Sequence, residues 1–135
     1  MEKKPRLFVG RSETKIIDSK NRIGIIPEFR RQLEEKMLFL FKERVQGYPL
    51  LVLRPHIRLD LENMSEEERM REYSAVPKEI DRQGRITLLN NELKYLANTR
   101  DIPREAIQTG GGDRIYVWLP EDLEEFERKS LESRD

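Results

Sequence analysis

Residues 16–25 read IIDSKNRIGI, and residues 79–88 read EIDRQGRITL. The second stretch repeats the first, and each copy holds an Asp-x-x-x-Arg turn between apolar residues. The identical positions are Ile17 and Ile80, Asp18 and Asp81, Arg22 and Arg85, and Ile23 and Ile86. A repeated apolar frame predicts a repeated element of the core. The repeated pairing of Asp with Arg needs a further explanation.

The repetition continues through nearly the whole chain. Each copy predicts a strand, the turn, a second strand, a helix, a strand hairpin and a final helix. In the first copy we expect an edge segment at 7–17 that leads into a strand, a helix at 27–36, hairpin strands at 37–43 and 49–54, and a helix at 65–74. In the second copy we expect a helix at 90–98, hairpin strands at 105–109 and 114–119, and a helix at 120–129.

This repeat predicts a β-rich α+β fold with short helices. The first domain, 1–74, holds one repeat and an acidic connecting helix, and the second domain, 75–135, holds the other repeat and a C-terminal helix. Neither half-unit can bury its own apolar face alone. We therefore expect the halves to share a core and to pack on each other as an intramolecular pseudo-dimer.

Local signals mark where the helices begin and how the first turn closes. Ser65 and Glu68 have the spacing of a capping box. Asn90 or Asn91 suits a helix N-cap, and Asn21 can adopt the left-handed conformation that a tight turn requires.

The composition excludes several kinds of functional site. The chain has 135 residues, no cysteine and one histidine, His56. Disulfides, thiolate metal sites and histidine clusters are therefore excluded, and we predict neither a bound metal nor a cofactor. No apolar run approaches the length that spans a membrane, so the expected location is the cytoplasm.

The charge is balanced overall but unevenly distributed. The formal net charge is zero. Residues 1–60 hold fourteen Lys and Arg against eight Asp and Glu, and residues 78–104 hold six against four. Residues 61–77 hold two Lys and Arg against five Asp and Glu, and residues 105–135 hold four Lys and Arg against nine Asp and Glu. Such a distribution gives the folded protein a basic face or, alternatively, only ordinary solvated surface charge.

The other candidate motifs predict structure and not catalysis. The stretch TGGGDR, residues 109–114, lacks the Lys-Ser/Thr of a phosphate-binding loop and does not precede a helix, so it predicts a hairpin turn. The acidic runs Glu66–Glu68 and Glu121–Glu125 fall in first helical turns, which carboxylates stabilise. We therefore predict that the protein is not an enzyme.

The Asp-x-x-x-Arg turns admit a structural and a functional interpretation. The carboxylates of Asp18 and Asp81 can organise the turns, together with Asn21 and Gly84. The guanidinium groups can at the same time face DNA phosphates or guanine edges. The predicted DNA-binding residues are Arg22 and Arg85 with their cationic neighbours Arg11, Lys15, Lys20, Lys78 and Arg82.

Three stretches carry a resemblance to a known family. They read DSKNRIGIIPEFRRQL at 18–33, DRQGRITLLNNELKYLA at 81–97 and TGGGDRIYVWLPEDLEEFE at 109–127. One such turn-and-helix unit is typical of AbrB-type swapped-hairpin transcription factors. Two units in tandem before a terminal helix resemble the MraZ family. The first unit differs from the family pattern in having Asn21 where glycine is usual.

The resemblance has definite implications. It implies two tandem AbrB-like swapped-hairpin half-units that form a β-barrel. It also implies a nucleoid-associated, sequence-specific transcriptional regulator of the division and cell-wall gene cluster. Such a protein would bind direct repeats in double-stranded promoter DNA as a homo-oligomer, in closed rings of subunits.

Two other functions compete with this one. An AbrB-type antitoxin would bind DNA and also a toxin partner, but antitoxins usually carry a single such unit. A small β-barrel enzyme or ligand-binding module would need a catalytic or metal-binding constellation, which the residues do not offer.

Overall fold

The computed structural model describes residues 8–132, so Leu7, at which the predicted edge segment begins, and both outer ends of the predicted domains lie outside it. The described fold is α+β and β-rich. Its strands are β1 Lys15–Ile16, β2 Arg22–Gly24, β3 Met37–Val45, β4 Tyr48–Arg54, β5 Val76–Glu79, β6 Arg85–Thr87, β7 Glu105–Gly110 and β8 Ile115–Trp118. Its helices are α1 Pro27–Arg30, α2 Glu66–Tyr73, α3 Asn90–Ala97 and α4 Pro120–Glu132, with a 3-10 turn at Leu61–Asn63.

The strands form two antiparallel sheets. The larger sheet has the order β1-β7-β8-β4-β3-β5, and the smaller one pairs β2 with β6. Strand β1, from the first repeat, lies against β7 of the second repeat. Strand β5, from the second repeat, lies against β3 of the first. Each hairpin therefore receives its outer strand from the other repeat.

The smaller sheet, which we call the ribbon, is centred on equivalent residues of the two repeats. Arg22 pairs with Thr87, Ile23 with Ile86, and Gly24 with Arg85. Because side chains alternate between the two faces of a strand, the isoleucines face one side and the other four residues face the opposite side. Ile23 and Ile86 are almost fully buried, so the ribbon packs its isoleucine face on the core.

The core has two parts. The main cluster lies under the ribbon and includes Phe8, whose ring meets that of Phe29 edge-on with centroids 5.5 Å apart. The second cluster lies against α4 and includes Trp118, at 3% exposure. The indole Nε1 of Trp118 donates to the hydroxyl of Thr109 at 3.1 Å, which satisfies the polar atom of this buried ring.

Two helix predictions are confirmed and two are corrected. The capping box of Ser65 and Glu68 is present, and α4 begins at Pro120. The helix predicted at 27–36 ends at Arg30, because the Leu33 amide bonds back only to Arg30 and the chain then extends into β3. The N-cap of α3 is Leu89 and not an asparagine; its amide donates to the carboxylate of Glu92 at 2.7 Å.

The acidic helix α2 is attached to the sheet by a nearly buried ion pair. The Nη2 of Arg54 lies 2.6 Å from the Glu72 carboxylate, and the amide of Arg58 donates to the same carboxylate at 2.8 Å. The Arg54 guanidinium also lies 4.0 Å from the ring centroid of Phe41. Within residues 8–132 no helix is long and apolar enough to cross a membrane.

One buried amide joins the ribbon to the larger sheet. Gln108 on β7 has no exposed surface. Its Nε2 donates to the Gly24 carbonyl at 2.6 Å, and its Oε1 accepts from the Ile26 amide at 3.1 Å. These two bonds connect the segment after the first turn to the core.

We expect Gln108→Leu to lower the free energy of unfolding. The change leaves a buried amide and a buried carbonyl without partners, and each such group costs about 1–3 kcal/mol. Urea denaturation measures the difference. Gln83→Leu, at an exposed turn position, is the control and should stay within about 0.5 kcal/mol of the parent. Equal stability of both variants would contradict the role of Gln108.

Candidate functional site

The two Asp-x-x-x-Arg turns have the same hydrogen bonds. In the first turn the Oδ1 of Asp18 accepts from the amides of Lys20 and Arg22 at 2.9 and 2.8 Å. Its Oδ2 accepts from the Nε of Arg22 at 2.8 Å. The main chain closes the turn, since the Asp18 amide donates to the Arg22 carbonyl and the Asn21 amide donates to the Asp18 carbonyl. The carboxylate therefore organises its turn, as the sequence predicts.

The second turn repeats this arrangement. The Oδ1 of Asp81 accepts from the amides of Gln83 and Arg85, both at 2.9 Å. Its Oδ2 accepts from the Nε of Arg85 at 3.1 Å. The Nη1 of Arg85 also lies 3.7 Å from the Oδ2 of Asp18, so the two turns are in contact through their charges.

The predicted left-handed conformation of Asn21 is confirmed, and Gly84 has the same conformation in the second turn. Asn21 has φ +62° and Gly84 has φ +77°. The guanidinium of Arg30 from α1 also lies against Gly84, so a Cβ there would displace this side chain. In the first turn the asparagine side chain replaces this packing with hydrogen bonds. Its Nδ2 donates to the Oδ1 of Asn90 at 3.1 Å, and its Oδ1 accepts from Arg104 at 3.1 Å.

The turn geometry shifts the acidity of both aspartates. The pKa of Asp18 lies below its ordinary value of 3.8, chiefly because the Arg22 amide donates to the carboxylate. The pKa of Asp81 is lowered in the same way by the Arg85 amide. Hydrogen bonds to the ionised form favour that form, so both carboxylates stay charged at neutral pH.

The arginines of the turns lie on the outer face of the ribbon. The side chains of Arg22 and Arg85 are 28% and 27% exposed. Each uses its Nε to bond its own aspartate, and within residues 8–132 their Nη groups make no hydrogen bond. The aspartates thus orient both guanidinium groups, and four terminal nitrogens remain able to donate to a further partner.

Three of the other predicted cations lie beside the turns without an ion pair to residues 8–132. Lys15 is half-buried on β1, and Lys20 and Arg82 are exposed in the turns themselves. Arg104 joins this group, since it donates to Asn21 and, at 3.4 Å, to the Asp18 carbonyl. Sequence reasoning missed Arg104 because it stands far from either turn in the chain, next to the start of β7.

Two of the predicted DNA-binding cations form ion pairs with acidic residues of the protein. Lys78 is only 6% exposed, and its Nζ lies 2.8 Å from the Oε1 of Glu92 and donates to the Thr87 carbonyl at 2.9 Å. Lys78 is therefore enclosed by the fold and paired, which argues against the predicted contact with DNA. Arg11 pairs at 2.7 Å with Glu127 of α4, which offsets its charge. Within residues 8–132 no group of three or more acidic or histidine side chains could hold a metal ion.

We expect acid to abolish the contribution of the turn carboxylates. A lowered pKa means that this stability is fully present above pH 3.8 and is lost as the pH falls through the folded-state pKa values. The difference in urea midpoint between the parent and Asp18→Asn/Asp81→Asn should therefore be largest at neutral pH and shrink below pH 3.8. Asp101→Asn, at an exposed position, is the control. A difference that is constant with pH would show that the carboxylate charge does not hold the turns.

Comparison with known proteins gives one consistent result. No family model matches the chain. A protein of Nitratidesulfovibrio vulgaris is 29% identical over 124 residues, which cover 83% of this chain and 80% of that protein. A protein of Lactobacillus gasseri is 28% identical over 127 residues, which cover 88% of this chain and 86% of that protein. A protein of Clostridium tetani is 29% identical over 124 residues, which cover 86% of this chain and 84% of that protein.

Each of these relatives is named "Transcriptional regulator MraZ". The alignments extend over most of both chains. Six relatives share this one name, and the chain is similar to them over most of its length.

Proposed function

We propose that this protein is a DNA-binding transcriptional regulator that reads duplex DNA with the outer face of the ribbon. One observation carries the proposal: two arginines, each oriented by its own aspartate, lie on the same exposed face of a two-stranded antiparallel sheet. The names of the relatives support the regulatory role.

The dimensions and chemistry of the ribbon fit the major groove. The major groove of B-DNA admits a two-stranded β-ribbon, and arginine can donate two hydrogen bonds to the O6 and N7 of guanine. In Arg22 and Arg85 the Nη groups make no hydrogen bond within residues 8–132, although the Nη1 of Arg85 lies 3.7 Å from the Oδ2 of Asp18. They can make such a contact with guanine, while the Nε bond to aspartate limits the rotamers. A guanidinium that is already oriented loses less entropy when it binds.

Neighbouring cations would hold the phosphate backbone. We assign this role to Lys15, Lys20, Arg82 and Arg104, and we leave out Lys78 and Arg11, which are in ion pairs. The acidic residues of α2 and α4 keep the net charge at zero. Such a division of charge orients the protein on DNA without a large total charge.

The proposal includes the internal architecture. The repeats at 1–74 and 75–135 act as two AbrB-like swapped-hairpin half-units that form one pseudo-dimer. Two features support this: the reciprocal placement of β1 on β7 and β5 on β3, and the ribbon register centred on Ile23 and Ile86. A pseudo-dimer of this kind puts both turns on one side of the molecule.

The family resemblance extends the proposal to the target and the assembly. The proposed target is the promoter of the division and cell-wall gene cluster, bound at direct repeats. The proposed assembly is a closed ring, in which one half of a subunit contacts the other half of the next. A ring that presents the same surface several times gains effective concentration on repeated sites.

We expect Arg22→Ala/Arg85→Ala to lose specific DNA binding. Loss of a base-reading arginine should cost about 1–3 kcal/mol per site and relax the sequence preference, whereas Lys20→Gln should weaken all sequences alike and flatten the salt dependence. Gel-shift titration on upstream DNA at several salt concentrations measures both effects. Arg71→Ala on the acidic helix α2 is the control.

The melting temperature separates direct contact from a structural role. Lost binding in a variant that still folds supports direct contact by the arginines. A lowered melting temperature with affinity near that of the parent would mean that the arginines serve only the turns, which contradicts the proposal.

We expect the protein to assemble through apolar side chains that include those of α2. Met70 and Tyr73 are both 66% exposed, and Leu59, which precedes the helix, is 80% exposed. Light scattering at micromolar concentration should show an oligomer, and Met70→Glu/Tyr73→Glu should reduce its size. Leu131→Glu, at a similarly exposed position on α4, should not. A parent protein that is only monomeric would refute the ring.

A further inference from the structure

The outer face of the ribbon is symmetric in its arginines but not in the residues that oppose them. Arg22 stands directly opposite Thr87, and Arg85 stands directly opposite Gly24. The two repeats place these pairs in equivalent positions around Ile23 and Ile86. A side chain therefore accompanies the first arginine, whereas only backbone accompanies the second.

Thr87 is available for contact. Its residue is exposed, and within residues 8–132 its hydroxyl makes no hydrogen bond. Its carbonyl, by contrast, accepts from the buried Nζ of Lys78 at 2.9 Å, which fixes the backbone at this position. A fixed backbone with an unoccupied side chain is suited to a contact with a ligand on the outer face.

The backbone conformation at position 24 does not require a glycine. Its φ does not lie in the left-handed region, and an added Cβ would meet only the Cγ of Arg85, at an ordinary contact distance of 4.0 Å. The position can thus accept a side chain. The absence of one leaves the surface beside Arg85 bare.

We propose that Thr87 is a specificity-determining residue that makes the DNA site asymmetric. The inference rests on the proposed DNA-binding function. Residues directly opposite each other in an antiparallel pair have Cβ atoms about 4.5–5.5 Å apart, so Thr87 and Arg22 reach neighbouring base pairs. A threonine hydroxyl can donate to or accept from a base edge, and its methyl group can contact the methyl of thymine.

The consequence is a site with one additional determinant. Both arginines contact equivalent bases, but the base beside the Arg22 contact is read by Thr87, and the base beside the Arg85 contact is not read by Gly24. The asymmetry also gives each ribbon a direction on the DNA. An asymmetric ribbon binds each DNA site in one orientation. A symmetric ribbon could not distinguish the two orientations of a site.

The test is a random-sequence DNA selection with the full chain at a fixed, stated salt concentration. The proteins compared are the parent, Thr87→Gly and Gly24→Thr. The parent should select a core that is asymmetric about its centre. Thr87→Gly should lose the preference at the one base, by about fivefold or more, and select a core symmetric at these positions. Gly24→Thr should gain a preference at the equivalent base on the other side.

Two further variants guard against loss of folding and define the contact. Thr87→Ser keeps the hydroxyl and Thr87→Val keeps the methyl group, and both keep a strand-compatible side chain. Retained preference in one and not the other identifies the group that reads the base. Thr14→Gly, at an exposed position away from the ribbon, should leave the selected core unchanged.

The outcomes separate this inference from the proposed function. A parent protein that enriches no sequence refutes the DNA-reading function itself. A parent that enriches a core which stays unaltered in Thr87→Gly, Thr87→Ser and Thr87→Val refutes the role of Thr87 and leaves the arginine contacts standing. A core that changes at the single base in Thr87→Gly supports the inference.

Discussion

The pairing of Ile23 with Ile86 determines which face of the ribbon packs on the core. Both side chains are buried, so the ribbon can lie only with this face on the core. Because successive residues of a strand face opposite sides, a slip of one residue would bury Arg22 and Arg85 and expose the isoleucines. The hydrophobic effect thereby fixes where the charged groups lie. The aspartates then set the orientation of the guanidinium groups.

The ionic groups of this chain divide into two classes that composition cannot distinguish. Lys78 with Glu92, and Arg54 with Glu72, are largely removed from water and connect elements of the fold. Removing one partner of such a pair leaves an uncompensated buried charge, which is strongly destabilising. The arginines of the turns are partly exposed and bonded through one nitrogen each to an aspartate, so a structural role is compatible with the proposed role in DNA recognition. A high content of charged residues therefore serves both the fold and its outer face.

The two turns have the same carboxylate hydrogen bonds, but different residues pack against them. The Arg30 guanidinium covers Gly84, whereas Asn21 is held by Asn90 and Arg104. Both turns thus contain the arginine, whereas the residues that support the two turns differ. Such differences let one chain present two related but distinguishable contacts on one surface, which an exact homodimer cannot do because its symmetry makes both contacts equal.

The repeated elements, the carboxylate-organised turns and the left-handed Asn21 could be predicted from the sequence, because they follow from local geometry and from apolar periodicity. Which lysine and arginine side chains remain accessible to solvent depends on tertiary contacts. Lys15 and Lys78 occupy the same position of the two repeats, yet Lys78 is buried because Glu92 lies opposite it, where the first repeat has the core residue Phe29. The helix predicted at 27–36 likewise ends early because the chain must extend to place β3 beside β5. Packing between distant parts of the chain determines which side chains are buried and which strands pair. The local sequence around a residue does not contain this information.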